Sequence, residues 1–204
     1  MSPDELKIKE RAEKYSRLNK KIIAKEIILK YESESEPVSV FMAGSPGAGK
    51  TEASKRLIKE ITGKEDSILR IDPDDLRKLF LEYDGKNSNL FQGATSILTE
   101  KIHDLAINKN KSFVFDTTFS KIDKAQENIK RSIKHNRLIQ IIYVYQDPIQ
   151  AWEFVKEREK RDGRNIPKES FIDEYFNARL VANKIKQDFP KITLYILIKI
   201  LMDQ

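Results

Sequence analysis

The sequence predicts an α/β domain built on a central, mostly parallel five-stranded sheet with helices on both faces. Short apolar runs suited to buried strands alternate with helical patterns along the chain. Strands joined through helices pair in parallel, because each helix returns the chain to the edge at which the previous strand began. The predicted strands are residues 38–43, 67–71, 112–115, 138–145 and 192–198.

The segments between these runs show helical periodicity, and prolines 73, 148 and 167 stand where first helical turns tolerate them. The predicted helices are residues 4–31, 50–61, 73–82, 89–108, 121–136, 148–161 and 167–189. We divide the chain into a peripheral N-terminal helix with its linker, residues 1–36, and one domain, residues 37–204. The apolar run 195–201 predicts a core strand followed by a short tail.

Composition excludes several classes of protein. With 204 residues, 39% of them hydrophobic and 34% charged, the chain suits one globular domain and is neither a disordered nor a membrane protein. The absence of cysteine excludes disulfides and thiolate sites. Its two histidines, His103 and His135, are far apart on predicted helices, so we expect solvent-facing side chains and no histidine metal site. The polar residues 1–10 lack a signal peptide's apolar segment, which favours a cytoplasmic location.

The net charge of +6 favours anionic partners such as phosphate-bearing ligands. Basic residues cluster on one predicted helix and just after it, but acidic residues share that segment, so we interpret it as a solvated helix face. The cluster consists of Lys130, Arg131, Lys134 and Arg137. We therefore expect no nucleic-acid partner.

A glycine-rich segment between the first strand and the next helix matches the whole phosphate-binding loop pattern. Its glycines let backbone N–H groups turn inward, and the helix that follows presents its positive end to phosphate. Lys50 reaches the β- and γ-phosphates in such loops, and Thr51 offers a hydroxyl to Mg²⁺. The segment is Gly44, Ser45, Pro46, Gly47, Ala48, Gly49, Lys50 and Thr51. It predicts a P-loop NTPase fold of the kinase type that binds ATP or GTP with Mg²⁺.

Acidic residues follow the second and third predicted strands, where the carboxyl ends of parallel strands face a ligand crevice. Asp74 could accept the proton of a hydroxyl that attacks phosphorus. Asp72 is interpreted equally well as a helix cap or as a substrate ligand. Asp116 could hold Mg²⁺ or bind substrate hydroxyls, and the sequence does not separate these roles.

Arginines near residues 158–164 suggest a mobile lid, since a glycine and a proline interrupt the segment. Guanidinium groups suit triphosphate oxygens because they keep their charge and donate in a plane. Arg158, Arg161 and Arg164 are the candidates, and a solvated helix end is the alternative interpretation.

In the order of these features the sequence resembles the zeta toxin family of bacterial kinases, across residues 38–167. That family phosphorylates UDP-N-acetylglucosamine and is held inactive by an antitoxin. The resemblance implies that Asp74 is the general base and that Arg158 and Arg164 steady the transferring phosphate, with Arg161 competing for the first role. It also implies acceptor binding by Glu100, Asp116 and Thr118.

Two departures fall on the acceptor side. Ser120 stands where the family tends to carry a substrate-holding arginine, and Asp116 is shorter than the family's usual glutamate. The resemblance therefore implies a kinase for a UDP-sugar, while other small-molecule kinases for sugars or antibiotics and a polynucleotide 5′-hydroxyl kinase remain alternatives. An ATP-binding regulatory module without turnover is the alternative from another class.

Overall fold

The computed structural model describes residues 1–64 and 66–199. Five parallel strands form one sheet in the order β2–β3–β1–β4–β5. The strands are β1 Val38–Ala43, β2 Leu69–Ile71, β3 Phe113–Asp116, β4 Leu138–Tyr145 and β5 Thr193–Ile198. The predicted fold class is confirmed, and β1 and β4 have the predicted bounds.

Seven α-helices lie among the described residues. They are α1 Pro3–Ile28, α2 Lys50–Thr62, α3 Pro73–Arg77, α4 Gln92–Asn108, α5 Ile122–Lys134, α6 Pro148–Asp162 and α7 Lys168–Asp188. A 3₁₀ turn, Ser88–Phe91, precedes α4. The helix predicted over residues 73–82 ends early, because the chain continues in tight turns that pack Phe80 against Phe91, with ring centroids 5.2 Å apart.

Helices cover both faces of the sheet because side chains alternate along the strands. Val40 and Met42 of β1 pack with Ile58 of α2 on one face. Phe41 points to the other face, where the larger core also includes residues of α1, α4, α5 and α7. This arrangement leaves the carboxyl ends of the strands at a common edge, which carries the candidate site.

The N-terminal helix α1 joins this core. Its start is fixed by a capping box between Ser2 and Glu5, and it packs along α4, burying Ala12, Ala24 and Ile28. A domain boundary at residue 36 stays a prediction. No helix in the described part of the chain is long and apolar enough to cross a membrane.

The prediction of a core strand near the C-terminus is wrong. β5 pairs with β4 and lies at the end of the strand order, so Ile196 and Ile198 are 64% and 61% exposed. The end of the apolar run, residues 200 and 201, and the tail to residue 204 lie outside the described residues.

The prediction that both histidines face solvent is wrong for His103, which is fully buried among Phe41, Phe113 and Phe115. The basic cluster is also only partly a solvated face. Arg137 is buried and donates to Ser39 Oγ at 2.6 Å and to the carbonyls of Val38 and Lys111. These groups lie at the amino ends of β1 and β3, away from the carboxyl edge of the sheet.

Candidate active site

The phosphate-binding loop follows β1 and is shaped by glycines with positive φ. Gly47 has φ +74°, and a Cβ there would lie 2.1 Å from the carbonyl oxygen of Ala151, so a larger residue would clash with backbone. Gly49, with φ +81°, directly precedes α2, and no described side chain caps that helix. The first N–H groups of α2 are therefore available to an anion.

Lys50 and Thr51 begin α2 and lie beside this loop. The Lys50 ammonium donates to the carbonyl oxygens of Gly44 at 2.9 Å and Ser45 at 2.8 Å. Burial lowers the pKa of Lys50, while Asp116, Glu174 and Asp74 act in the opposite direction. The lysine thus lies within electrostatic range of the acidic residues at the sheet edge.

Asp116 ends β3 and is buried next to α2. Its carboxylate accepts from Arg70 Nη1 at 3.3 Å and from Ser54 Oγ at 3.5 Å, and it lies near Thr51. Burial raises the pKa of Asp116, and Lys50 and Arg70 oppose that rise. A carboxylate and a hydroxyl at the phosphate loop are the hard oxygen ligands that Mg²⁺ prefers, so Asp116 and Thr51 fit a magnesium site.

Asp72 caps α3 and belongs to an ion cluster. Its Oδ1 accepts from the Asp74 N–H at 2.8 Å, and its Oδ2 accepts from Arg70, which also pairs with Asp75. Burial raises the pKa of Asp72 to about 6, and the charges of Asp116 and Asp74 add to the rise. The capping role that we considered is present, and Asp72 also lines the adjacent cleft.

Asp74 is held by three arginines. Arg77 Nη1 donates to Oδ1, whereas Arg158 Nη2, at 3.0 Å, and Arg164 Nη1 donate to Oδ2. Burial alone would raise the pKa of Asp74, but Arg164, Arg77 and Arg158 together hold it below its ordinary value. Arg158 reaches Asp74 from within α6, whereas Arg164 follows Gly163, which ends that helix in the left-handed conformation.

A cleft of about 430 Å³ opens beside this cluster. It is lined by Asp72, Asp74, Asp75, Lys78, Tyr83, Asp84, Gly85, Arg158, Asp162 and Arg164. The cleft therefore places acidic, basic and aromatic side chains around the same carboxylate that the arginines hold, with room for a small polar molecule.

Three predicted residues are placed differently from this cluster. Arg161 is 75% exposed and pairs with Asp162, so it does not join Arg158 and Arg164 on Asp74. Glu100 lies between α4 and α5, where Arg131 donates to it at 2.6 Å. Thr118 lies against the phosphate loop, because its carbonyl accepts from the Gly44 N–H at 3.3 Å and its hydroxyl lies 3.0 Å from Ser120 Oγ.

Sequence reasoning missed residues whose neighbours depend on tertiary structure. Arg77 is buried and bonded to Asp74. Glu174, on α7, lies near Lys50 and Arg164, and burial raises its pKa. Lys199 follows β5 and reaches the phosphate loop, since a Cβ on Gly49 would lie 1.9 Å from its Nζ. Only Arg77 carried a signal, its spacing of three residues from Asp74 on one short helix.

Comparisons with known proteins identify the family and the fold. The sequence model described as Zeta toxin matches residues 24–199. We found no matching sequence among the curated proteins. The chain is similar in structure to a protein of the PezAT chromosomal toxin–antitoxin system of Streptococcus pneumoniae, at 16% identity and a TM-score of 0.68, covering 96% of this chain and 78% of that one.

Two further structures are similar. One is described as AvrRxo1-ORF1:-ORF2 with ATP, at 16% identity and a TM-score of 0.59, covering 93% of this chain and 62% of that one. The other is a chain of the Pnkp1/Rnl/Hen1 RNA repair complex, at 17% identity and a TM-score of 0.58, covering 76% of this chain and 48% of that one. This chain spans less than two thirds of the length of either protein. At such identities the likeness establishes the fold, and the match of the family model over most of the chain establishes more: the protein belongs to the zeta toxin family.

Proposed function

We propose that this protein is an ATP-dependent kinase that transfers the γ-phosphoryl group to a hydroxyl of a small molecule. The observation that carries the proposal is the convergence of Lys50, Asp74 and two lid arginines beside a phosphate loop and a cleft. Phosphoryl transfer depends chiefly on such positioning and on charge stabilisation. GTP is the alternative donor.

In this proposal the loop from Gly44 to Thr51 holds the triphosphate, and Lys50 turns from the Gly44 and Ser45 carbonyls to phosphate oxygens. Arg158 and Arg164 leave Asp74 for the γ-phosphate. Asp74 then accepts the proton of the acceptor hydroxyl as its oxygen bonds to phosphorus and the bond to the leaving ADP breaks. Mg²⁺, held by Thr51 and Asp116, would neutralise charge on the phosphates.

The acceptor that the family resemblance implies is a UDP-sugar such as UDP-N-acetylglucosamine, and we propose it as the first to test. Asp72 lines the cleft, and Thr118, beside the phosphate loop, is assigned to acceptor binding by the family resemblance. Glu100 is assigned that role by resemblance, although Arg131 holds it in this structure. The Ser120 hydroxyl, 3.0 Å from the Thr118 hydroxyl, offers no cation for a diphosphate.

We also propose a cytoplasmic protein with an antitoxin partner. Support for the partner comes from the family and from the similar protein of a toxin–antitoxin system. Co-expression with proteins encoded beside its gene, followed by co-purification, tests this directly. A chain that purifies alone and harmlessly at full activity would contradict it.

The test of the kinase function uses purified protein, γ-labelled ATP or GTP, Mg²⁺ and a panel of UDP-sugars, sugars, antibiotics and 5′-hydroxyl oligonucleotides. We expect label on one small-molecule class. Lys50→Met should transfer label about a thousandfold or more slowly, because charge stabilisation supplies much of the rate. Lys55→Met, on an exposed lysine of the same helix, is the matched control. ATP binding without any labelled product would favour a regulatory module, and labelled oligonucleotide would favour a polynucleotide kinase.

A further inference from the structure

The two oxygens of the Asp74 carboxylate have different partners. Oδ1 accepts from Arg77, and Oδ2 accepts from Arg158 and Arg164. The partners also differ in exposure. The Arg77 side chain is 5% exposed and lies on α3 beside Asp74, whereas the Arg158 and Arg164 side chains are 40% and 20% exposed and belong to the proposed lid.

Arg77 is anchored at its other end. Its Nη2 donates to Gln92 Oε1 at 2.8 Å, at the first residue of α4. A guanidinium held in a plane between two acceptors has little freedom to turn, because breaking either bond would leave a buried donor without a partner. Arg158 and Arg164 have no such second anchor on another helix among the contacts of the described residues.

We propose that Arg77 is a positioning residue that keeps Asp74 Oδ1 fixed during catalysis, so that Oδ2 is the atom that accepts the proton of the substrate hydroxyl. The inference rests on the proposed kinase function. When the lid arginines move to phosphate, Oδ2 loses its partners and Oδ1 keeps Arg77. Gln92 acts one step further away, by holding the guanidinium of Arg77 in its plane.

Other charges face Asp74 from the surrounding elements. Lys50 lies on α2, Asp72 precedes α3 and Asp116 ends β3. Burial raises the pKa of Asp74, and Arg164, Arg77 and Arg158 lower it. Once the lid arginines have left, Arg77 is the remaining direct cationic partner on the described residues. Its loss should therefore raise the pKa of the base in the nucleotide complex.

The experiment measures kcat and KM against pH for the parent, Arg77→Met, Arg77→Lys and Gln92→Leu. In Arg77→Met we expect the acid limb of the kcat profile to move up by about one pH unit or more, because loss of a cation in contact with the carboxylate favours its protonated form. The KM for ATP should change less than about twofold, as the loop is untouched. Arg77→Lys should restore part of the shift, and Gln92→Leu should show a smaller shift in the same direction.

Arg56→Met, on an exposed arginine of α2, is the control for loss of a cation, and its profile should match the parent. A profile whose acid limb stays in place in Arg77→Met and Gln92→Leu would overturn the proposal. If Arg77→Met does not fold, the Gln92→Leu profile decides alone.

A second measurement is independent of turnover. Carboxyl ¹³C NMR of the protein with Mg²⁺ and a non-hydrolysable ATP analogue reports the titration of Asp74 directly. A higher pKa in Arg77→Met supports the positioning role, and an unchanged pKa overturns it. If the parent transfers no label but this titration shifts as expected, the kinase function fails while the hold of Arg77 on Asp74 stands.

Discussion

Asp74 is a single carboxylate shared by three guanidinium groups. Each guanidinium forms its strongest hydrogen bonds with anionic oxygens, and a bound triphosphate supplies more of them than one carboxylate does. The carboxylate and the nucleotide therefore compete for Arg158 and Arg164. In the nucleotide-free chain the three arginines keep the proposed base ionised.

The competition predicts that Asp74→Asn binds ATP more tightly than the parent while phosphoryl transfer is lost. The neutral amide holds the lid arginines less strongly and removes a negative charge near the phosphates, so we expect Kd to fall about three- to tenfold. Titration calorimetry measures the affinity. Asp104→Asn, which pairs with Arg131, serves as the control, and weaker binding by Asp74→Asn would contradict the prediction.

Asp72 predicts a pH dependence of stability. Its pKa rises from 3.8 to about 6 on folding, so the folded state binds the proton more tightly and stability increases as pH falls from 6 towards 4. Asp72→Asn keeps the helix cap and removes the buried charge. We expect it to raise the free energy of unfolding at pH 7.5 by up to about 3 kcal/mol. Urea unfolding at pH 4.5 and 7.5 measures this, and equal stability of variant and parent at pH 7.5 would refute it.

At the scale of elements, α4 carries polar side chains into the core. Both ring nitrogens of His103 and the hydroxyl of Thr99 lack hydrogen-bond partners among the described residues. Burial lowers the pKa of His103 from 6.5 to about 3, and the charges of Arg131 and Arg137 add to the effect. The imidazole is therefore neutral in the folded chain, at the cost of unpaired polar atoms.

We expect His103→Leu to stabilise the protein at pH 7 by about 1–3 kcal/mol, the cost of a buried group without a partner. The unfolded histidine takes up a proton below pH 6.5 and the folded one does not, so the free energy of unfolding of the parent decreases as pH falls from 6.5 towards 3. The variant should not show this decrease. His135→Leu, on an exposed histidine, is the control.

Elements with a strong local signal were predictable. β1 and β4 are apolar runs bounded by residues that end strands, and the phosphate loop has a complete motif. The end of α3 was not predictable, since Phe80 leaves the helix to meet Phe91, a contact set by packing. His103 was assigned to solvent because one polar residue on an amphipathic helix says little about which face it occupies.

In the candidate site, the sequence indicated Lys50, Asp74 and the lid arginines from their places after strands and near a glycine. It did not indicate how Arg77 and Arg158 divide the carboxylate oxygens, nor the approach of Lys199 to Gly49 from the far edge of the sheet. Those contacts arise from packing between elements distant in sequence.

At the scale of the whole molecule, the parallel sheet gathers chain segments from its whole width at one edge. Lys199 is held there because its N–H donates to the Tyr145 carbonyl at 3.1 Å, one residue beyond β5. Its ammonium lies near the amino end of α2, where a cation is unfavourable until an anion binds. We therefore expect Lys199 to contact bound nucleotide.

Lys199→Ala should raise the Kd for ATP about three- to tenfold, because one charge-assisted hydrogen bond to phosphate is lost. The effect should weaken at high salt, as expected for a partly exposed ion pair. Calorimetry at two ionic strengths measures both effects. Lys21→Ala, on the exposed side of α1, should bind as the parent does, and an unchanged Kd in Lys199→Ala would rule out the contact.

The apolar edge strand β5 connects the free edge of the sheet with the phosphate loop, because Lys199 directly follows it. A second polypeptide that paired with β5 and extended the sheet would restrict the backbone that positions Lys199 near Gly49. It would change the affinity for nucleotide from outside the cleft, without contacting any group that performs the chemistry.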